Sequence, residues 1–213
     1  MAALIVGSGC DIDKSQIEDL NIDYVICADG GLEKVKKLGL FPNLILGDFD
    51  SVNLSVLEEY KNINIQTVKF PSEKDYTDME LAINHAVKSG FKDIILVGAT
   101  GTRLDHTVGN MLLIEKYYKK NINIKILDNN NLIQIVTDNM IIHSRKNYYV
   151  SIIPLSEKIE GLILEGFKYP LSNVNVERGS TLCISNEISE NIGVIKLREG
   201  SALVFISRDW CFK

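Results

Sequence analysis

Two carboxylates follow directly on an apolar run in the first quarter of the chain. Residues 44–46 are apolar, and Asp48 and Asp50 come just after them. In an extended segment, residues two apart point to the same side at a spacing of about 7 Å, so both side chains can flank one cation. Carboxylates repel each other and resist desolvation, so such a pair needs water, a positive partner or a metal. Two interpretations remain open at this point: a solvated turn in which Asp50 or Ser51 caps a helix, or a Mg²⁺ site.

Three further loops combine acids with glycine or with a cation. Glycines let backbone N–H groups approach a phosphate, and a following helix N-terminus adds its dipole. Taken singly, each acid is also compatible with a simple turn or with the first turn of a helix. The loops contain Asp29 with Gly30 and Gly31, then Lys74 with Thr77 and Asp78, and finally Gly101, Arg103 and Asp105 within residues 98–106.

Over residues 1–128, short apolar runs alternate with helical patterns. The strands and helices that they predict would position the acidic loops. Apolar residues at i, i+3, i+4, i+7 and i+8 from Met79 predict a helix, with Thr77 and Glu80 as its capping box. A second helix is predicted near residues 104–119, with Val108, Met111 and Leu112 facing inward. Repeated strand–helix units predict a parallel sheet with helices on both faces, whose strand ends share one edge. The predicted strands are 2–6, 24–28, 43–46, 63–68, 93–97 and 122–127.

The texture of the sequence changes after a polar run at residues 128–131. Beyond it, short β-rich stretches are separated by turn residues and no strong helical period appears, which predicts an antiparallel sandwich or barrel. The expected organisation is therefore an α/β domain over 1–128 and a β-sandwich domain over 129–213. The predicted strands of the second half are 132–136, 148–153, 159–164, 181–185, 193–197 and 202–206.

Composition excludes several functional classes. A formal net charge of -5 argues against nucleic acid as partner, although acids beside a few cations can still bind a polyphosphate through a metal. The four cysteines form no C-x-x-C pair, so neither a structural zinc site nor a thioredoxin-type motif is indicated. Apolar runs fall short of the ~20 residues of a membrane-spanning helix, and the opening segment is interpreted as a strand rather than a signal peptide. We expect no membrane partner and a cytoplasmic location.

Gly7-Ser8-Gly9 begins a dinucleotide-binding fingerprint, but Ile12 stands where the third glycine is required, so that motif is excluded.

The four acidic loops, in this order, resemble the thiamine pyrophosphokinase family. That family is marked by an Asp-Gly-Gly turn, a Gly-Asp-x-Asp-Ser loop, a Lys-Asp-x-Thr-Asp helix start, and a glycine-rich loop ending in Arg-x-Asp-His with a downstream Asn. These motifs correspond here to residues 29–31, 47–51, 74–78 and 98–106 with Asn110, and residues 168–171 and 185–187 look like the family's C-terminal signatures. Thr102 departs from the pattern, since many members carry a glycine there.

The resemblance implies an enzyme that transfers pyrophosphate from ATP to the hydroxyl of thiamine and releases AMP. It implies a Rossmann-like N-terminal domain, a C-terminal β-sandwich and a homodimer, with thiamine bound where the C-terminal domain of one subunit meets the catalytic domain of the other. Asp48, Asp50 and Asp78 would hold Mg²⁺ and, together with Asp105, form the catalytic group. The expected ATP-binding residues are Asp29, Gly30, Lys74, Thr77, Gly101 and Arg103.

We predict that thiamine binds Tyr169, Ser185 and Asn186 in the second half. An aromatic ring can stack on the aminopyrimidine and attract the cationic thiazolium, while Ser and Asn can pair with the ring edge. Three alternatives remain open: a related pyrophosphokinase acting on a hydroxymethylpterin, a non-catalytic nucleotide-binding sensor, and a structural α/β protein with acidic caps.

Overall fold

The computed structural model describes residues 1–49, 56, 58–60 and 64–209. It divides into two compact units, Met1–Asn129 and Asn130–Lys213. Asp50, one of the predicted metal ligands, lies outside the described residues. The separate roles predicted for the two halves of the chain, nucleotide binding and thiamine binding, stay predictions at this stage.

The first unit is built on a parallel sheet, as predicted. Its strands are β1 (Ala2–Val6), β2 (Ile22–Ala28), β3 (Leu44–Gly47), β4 (Gln66–Lys69), β5 (Asp93–Val97) and β6 (Asn123–Leu127). They are arranged in the order β4-β3-β2-β1-β5-β6, and every neighbouring pair runs parallel. The described helices are α1 (Leu32–Lys37), α2 (Asp78–Lys88) and α3 (Leu104–Tyr118), and single 3₁₀ turns occur at Lys14–Gln16 and Asp29–Gly31.

The strand order reverses direction beside β1. From β1 the chain moves outward through β2, β3 and β4, and it then returns to β5 on the other side of β1. Val6 is in register with both Cys27 and Val97, so the three strands end at one level. In open α/β sheets, ligands bind at such a reversal, beyond the carboxyl ends of the strands. The fold therefore directs attention to the loops that follow β1 and β5.

Side chains on the strands alternate between two buried faces. Leu4 and Cys27 join Leu32 and Val35 of α1 in one core cluster, and alternation points Ile5 to the other face. All five are almost completely buried. Burying an aliphatic side chain of this size stabilises the fold by about 1.5–3 kcal/mol. This core is what holds the ends of the strands in a fixed position.

The structure confirms the amphipathic helix predicted from Met79 onward, which is α2. Its buried residues are Met79, Ala82, Ile83 and Ala86. The Thr77 hydroxyl accepts a hydrogen bond from the Glu80 N–H at 3.2 Å, which is one half of the predicted capping box. The other half is not formed, since the Glu80 carboxylate pairs instead with Lys116 of α3.

The inward face predicted for α3 is wrong for Val108 and Leu112, whereas Met111 is partly buried. Val108 and Leu112 are both 53% exposed, and Leu104 is 72% exposed. The buried residues are Asn110, Leu113, Ile114 and Tyr117. Apolar residues occur on two sides of this helix, so periodicity alone cannot distinguish the core face from the exposed one. Among the described residues, no helix has the length and apolar composition needed to cross a membrane.

The second unit is an antiparallel β-sandwich, as predicted. One layer has β13 between β7 and β9, and the other has the order β11-β10-β12-β8. Both layers contribute to one core cluster, which includes Val150, Leu162, Ile195 and Val204. The bounds are β7 (Asn131–Val136), β8 (Asn139–His143), β9 (Tyr149–Pro154), β10 (Lys158–Glu165), β11 (Leu171–Glu177), β12 (Ile192–Lys196) and β13 (Ala202–Ser207).

Two features of this unit differ from the sequence prediction. The segment 181–185 is not a strand: the Ile184 N–H donates to the Thr181 carbonyl in a turn, and Ser185 has a φ of 58°. Conversely, β8 and β11 were not predicted. β11 carries two asparagines between its apolar residues, one of them Asn173 at a φ of 54°, which weakens the strand pattern.

Candidate active site

A cleft of about 410 Å³ opens at the carboxyl edge of the first unit's sheet, where the strand order reverses. The loops after β1 and β5 form two of its walls, and the first turns of α2 and α3 complete it. Pockets of this size accommodate small molecules. The lining residues are Gly7, Ser8, Gly9, Ala28, Asp29, Thr77, Asp78, Met79, Gly98, Ala99, Thr100, Gly101, Thr102, Arg103, His106, Thr107 and Asn110.

The loops after β1 and β5 pack so closely against each other that neither Gly9 nor Gly98 could carry a side chain. The Gly9 N–H donates to the Gly98 carbonyl at 2.8 Å. A Cβ at Gly9 would lie 2.1 Å from the Thr100 carbonyl oxygen, and a Cβ at Gly98 would lie 2.3 Å from that of Gly7. Gly98 also has a φ of 62°, which favours glycine. These glycines therefore let the two loops pack directly against each other at the edge of the cleft, although Gly7-Ser8-Gly9 is not a dinucleotide fingerprint.

Two side chains of α3, those of Asn110 and Thr107, form hydrogen bonds with the glycine-rich loop after β5. The Asn110 amide donates to the Ala99 carbonyl at 2.8 Å, and Asn110 is only 8% exposed. The Gly101 N–H donates to the Thr107 hydroxyl at 3.1 Å, so this N–H is already used within the protein. The prediction that N–H groups of the loop face a phosphate therefore does not extend to Gly101.

The N-terminus of α3 borders the cleft through Arg103 and His106. Its N-cap residue is Arg103, which makes no capping hydrogen bond through its side chain. The first N–H groups of a helix have no partner within the helix, and their dipole favours an anion. This end of α3 is consequently suited to a phosphate group.

Two of the predicted acids lie on either side of Lys74. The Lys74 ammonium is 2.7 Å from Asp78 Oδ1 and 3.9 Å from Asp48 Oδ2. The three side chains are only 14–22% exposed, so the charges are partly desolvated. The lysine belongs to the loop that leads into α2, and Asp48 follows β3. The structure thus brings together Asp48, Lys74 and Asp78, as the sequence predicted.

Asp29 lies against the end of β3. Its φ is 46°, and it belongs to the short 3₁₀ turn at the end of β2. A Cβ at Gly47, the last residue of β3, would lie 3.0 Å from the Asp29 Cα, so the turn and the strand end are in close contact. Asp29 lines the cleft, whereas its neighbour Gly30 is not among the lining residues.

Arg103 and Asp105 form a pair at the rim of the cleft. Arg103 Nη2 is 2.7 Å from Asp105 Oδ2, and the two side chains are 70% and 64% exposed. The guanidinium lowers the pKa of the Asp105 carboxyl, and the carboxylate raises the pKa of Arg103. Arg103 lines the cleft, but Asp105 is not among the lining residues. A catalytic role for Asp105 stays a prediction.

In the second unit, the side chain of Asn186 forms hydrogen bonds with the backbone of Tyr169. The Asn186 amide group donates to the Tyr169 carbonyl at 2.8 Å, and its Oδ1 accepts from the N–H groups of Tyr169 at 3.1 Å and Glu187 at 2.9 Å. Asn186 is 6% exposed, and its backbone pairs with Val150. The geometry gives Asn186 a positioning role, and its direct contact with a ligand stays a prediction.

The Tyr169 side chain itself is available to a ligand, with 60% of the residue exposed. The Lys168 ammonium lies 5.7 Å from the centroid of its ring and 2.7 Å from Glu187, so the ring already has a cation beside it. Ser185 is exposed, and its N–H donates to the Ser151 hydroxyl at 2.9 Å. Tyr169 and Ser185 are thus both at the surface of the second unit. Both are close to Asn186, which follows Ser185 in the sequence and bonds to the backbone of Tyr169.

Comparison with known proteins assigns a family to both units. Residues 19–126 match the model of the thiamin pyrophosphokinase catalytic domain, and residues 138–201 match that of the thiamin pyrophosphokinase vitamin B1 binding domain. The chain belongs to the thiamin pyrophosphokinase family. This membership confirms the predicted enzyme class, a thiamine diphosphokinase, and the predicted product, thiamine diphosphate. The two matched domains imply thiamine and a nucleotide as substrates.

Individual thiamin pyrophosphokinases agree over nearly the whole chain. A curated thiamine pyrophosphokinase from Bacillus subtilis is 36% identical over 186 residues, which cover 86% of this chain and 87% of the relative. A B. subtilis thiamine pyrophosphokinase structure matches with a TM-score of 0.90 at 33% identity, covering 99% and 100% of the two chains. A Geobacillus thermodenitrificans structure gives 0.85 at 35% identity, covering 98% of each. The pterin-directed and sensor alternatives are not favoured.

Part of the site was not predicted from the sequence. Gly7, Ser8 and Gly9 line the cleft, although Gly7-Ser8-Gly9 was excluded as a dinucleotide-binding fingerprint. The available signal was a glycine pair directly after the first strand. Thr107 was missed as well, because a hydroxyl within a helix carries no distinct sequence signature.

Proposed function

We propose that ATP is the pyrophosphate donor and that its phosphates bind in the cleft bordered by the loops after β1 and β5 and by the first turns of α2 and α3. The observation that carries this proposal is the juxtaposition in the first unit of that glycine-walled cleft with the N-terminus of α3 and the acids around Lys74. Backbone N–H groups and a helix N-terminus favour phosphate, and Lys74 and Arg103 add positive charge.

Mg²⁺ is proposed as the metal that these acids hold. Asp48 and Asp78 offer hard oxygen donors, and the gap between them already contains the ammonium group of Lys74. Within the part of the chain that the structure describes, no three His, Cys, Asp or Glu side chains are grouped so as to hold a metal ion. Mg²⁺ typically uses one or two carboxylates together with phosphate oxygens and water. Asp48 and Asp78 would hold it, with Asp50 as a further ligand proposed from the sequence.

The reaction requires alignment and charge neutralisation more than a protein nucleophile. The hydroxyl oxygen of thiamine forms a bond to the β-phosphorus of ATP, the bond from that phosphorus to the oxygen bridging to the α-phosphorus breaks, and AMP leaves as the alcohol loses its proton. When bound, Mg²⁺ supplies positive charge to the phosphate oxygens. Arg103 on the cleft wall and Lys74 beside Asp78 add positive charge for the same oxygens.

Thiamine is proposed to bind the second unit at Tyr169 and Ser185. The exposed ring of Tyr169 is suited to stacking on the aminopyrimidine, and an aromatic face attracts a cation such as the thiazolium. Asn186 holds the backbone of Tyr169 in position for this contact.

One assay tests the donor, the transferred group and the acceptor together. The protein is incubated with Mg²⁺, thiamine and ATP labelled at the β-phosphorus, and the products are separated. We expect AMP and labelled thiamine diphosphate in equal amounts, with no product when hydroxymethylpterin replaces thiamine. ADP with thiamine monophosphate would contradict pyrophosphate transfer, and turnover of the pterin would reassign the acceptor.

A homodimer is proposed as the working form. Its support is the family resemblance together with the stripe formed by Leu104, Val108 and Leu112, which leaves apolar surface exposed on one side of α3. Two-fold dimers are the commonest oligomers, and large apolar side chains clustered at a surface are typical of an interface.

Val108→Asp combined with Leu112→Asp should weaken self-association by at least about 10-fold, since each factor of ten corresponds to about 1.4 kcal/mol. Sedimentation velocity would show the change as a shift towards the 23.8 kDa monomer. Phe41→Asp is the matched control, because Phe41 is also an exposed apolar residue of the first unit (72%) but lies outside the stripe. A wild-type protein that is monomeric and active would contradict the proposal.

The proposed location is the cytoplasm. Cys10, Cys27 and Cys183 are free thiols, and Cys27 and Cys183 are buried, which raises the pKa of both. Unpaired cysteines are typical of a reducing compartment.

A further inference from the structure

Asp128 is a buried carboxylate behind the wall of the cleft. It follows β6 and is only 8% exposed. In the sequence Asp128 opens the polar run 128–131, and such a run does not by itself require a buried charge. Burying a carboxylate is unfavourable unless strong hydrogen bonds compensate for the lost water. A carboxylate buried at this position is therefore expected to accept a hydrogen bond from a neighbouring donor.

That partner is a residue of the cleft. The Thr100 hydroxyl donates to Asp128 Oδ2 at 2.8 Å, and Thr100 lines the cleft on the loop after β5. Its hydroxyl proton is committed to a charged acceptor, and such hydrogen bonds are about twice as strong as neutral ones. The side chain of Thr100 is thereby fixed in one orientation.

The backbone of Thr100 is fixed as well. Its carbonyl accepts a hydrogen bond from the Cys10 N–H at 2.6 Å, on the loop after β1. Further along that loop, the Asp13 N–H donates to Asn129 Oδ1 at 2.7 Å, next to Asp128. Thr100 thus connects the loops that follow β1, β5 and β6. A change at Asp128 would be transmitted to both walls of the cleft.

We propose that Asp128 is a positioning residue for the nucleotide: acting through Thr100, it fixes the loop 98–103 in the geometry that accepts the phosphates. This inference rests on the proposed binding of ATP in the cleft. It assigns to Asp128 an effect on nucleotide affinity that is separate from thiamine affinity, because the residues proposed for thiamine belong to the second unit.

Charge alone predicts the opposite sign. ATP is a polyanion, so removing a carboxylate close to its site should strengthen binding by lowering electrostatic repulsion. A positioning role predicts weaker binding when the Asp128–Thr100 hydrogen bond is lost. Calorimetric titration with ATP therefore separates the two explanations by the direction of the change.

The experiment compares Asp128→Asn, Thr100→Val, the double variant and Thr100→Ser in the full chain. Thr100→Val should weaken ATP binding by about 10-fold, or about 1.4 kcal/mol. Asp128→Asn should weaken it by less, because an amide oxygen can still accept the hydroxyl. The double variant should bind ATP no more weakly than Thr100→Val, since both changes remove one interaction. Thr100→Ser keeps the hydroxyl and should restore ATP affinity, while thiamine affinity stays constant throughout.

Asp93→Asn is the matched control for charge, since Asp93 is an exposed carboxylate of the same unit and is not among the residues lining the cleft. Unchanged or stronger ATP binding by Thr100→Val and Asp128→Asn would overturn the positioning role while leaving the donor proposal intact. Equal weakening for ATP and thiamine, with a lower melting temperature, would also overturn it by indicating a general folding defect. Absence of ATP binding by the wild type would overturn both proposals.

Discussion

Asp78→Asn should reduce kcat by about 100-fold or more, since losing preorganised electrostatic stabilisation of a transition state typically has this effect. Asp78 lines the cleft at the first position of α2, and its carboxylate is 2.7 Å from Lys74. Asparagine keeps the shape but removes the charge proposed to hold Mg²⁺. Steady-state release of AMP at saturating substrates gives kcat, and a Mg²⁺ titration should show a higher metal requirement.

The same reasoning applies to Asp48→Asn and to Asp50→Asn, whose side chain lies outside the described residues. Glu73→Gln is the matched control: it removes a carboxylate from the same loop, but Glu73 is exposed and precedes the Lys-Asp-x-Thr-Asp motif. Each variant needs a thermal melt, because Lys74 loses a partner in Asp78→Asn. A folded Asp78→Asn enzyme with normal kcat and normal Mg²⁺ dependence would exclude the proposed role.

Asp29 and Asp48 could be located from the sequence because each follows a buried apolar strand, and Asp78 because it opens the helix that follows the next predicted strand. Parallel strands end at one edge, so Asp29, Asp48 and Asp78 were predicted to converge without knowledge of the strand order. The fold class was predicted from the alternation of short apolar runs with helical patterns along residues 1–128.

Features that depend on non-local contacts could not be predicted. The role of Gly7 to Gly9 requires knowing that β5 lies beside β1, which is a property of the strand order. Asp128 resembles an ordinary turn residue until Thr100 is brought beside it from 28 positions away. The exposed stripe of α3 was mistaken for its core face because both sides of the helix are apolar.

Local composition was also misleading in the second unit. Residues 181–185 are rich in β-formers, yet Ser185 adopts a left-handed conformation and the segment forms a turn. Asn186 has an ordinary polar character in the sequence, and only the fold shows that its amide is used by the backbone of Tyr169. Turn geometry of this kind is decided by tertiary hydrogen bonds rather than by propensity.

Tyr169→Ala should weaken thiamine binding by about 1–3 kcal/mol, or roughly 5- to 150-fold, by analogy with aromatic stacking on nucleobases. The residue is 60% exposed, so its ring supports no core packing and its removal should not unfold the unit. ATP binding should be nearly unchanged, because the cleft is formed by residues of the first unit. Titration of each ligand separately measures both affinities.

Two further variants give this prediction its specificity. Tyr169→Phe keeps the stacking ring and should bind thiamine close to the wild-type affinity, which separates stacking from any role of the hydroxyl. Asn186→Ala removes the hydrogen bonds to the Tyr169 backbone at 2.8 Å and 3.1 Å, so it should weaken thiamine binding by releasing the ring from its position. If Tyr169→Ala binds thiamine as well as the wild type, the acceptor site lies elsewhere. If both ligands are lost together, the substitution acts on folding instead.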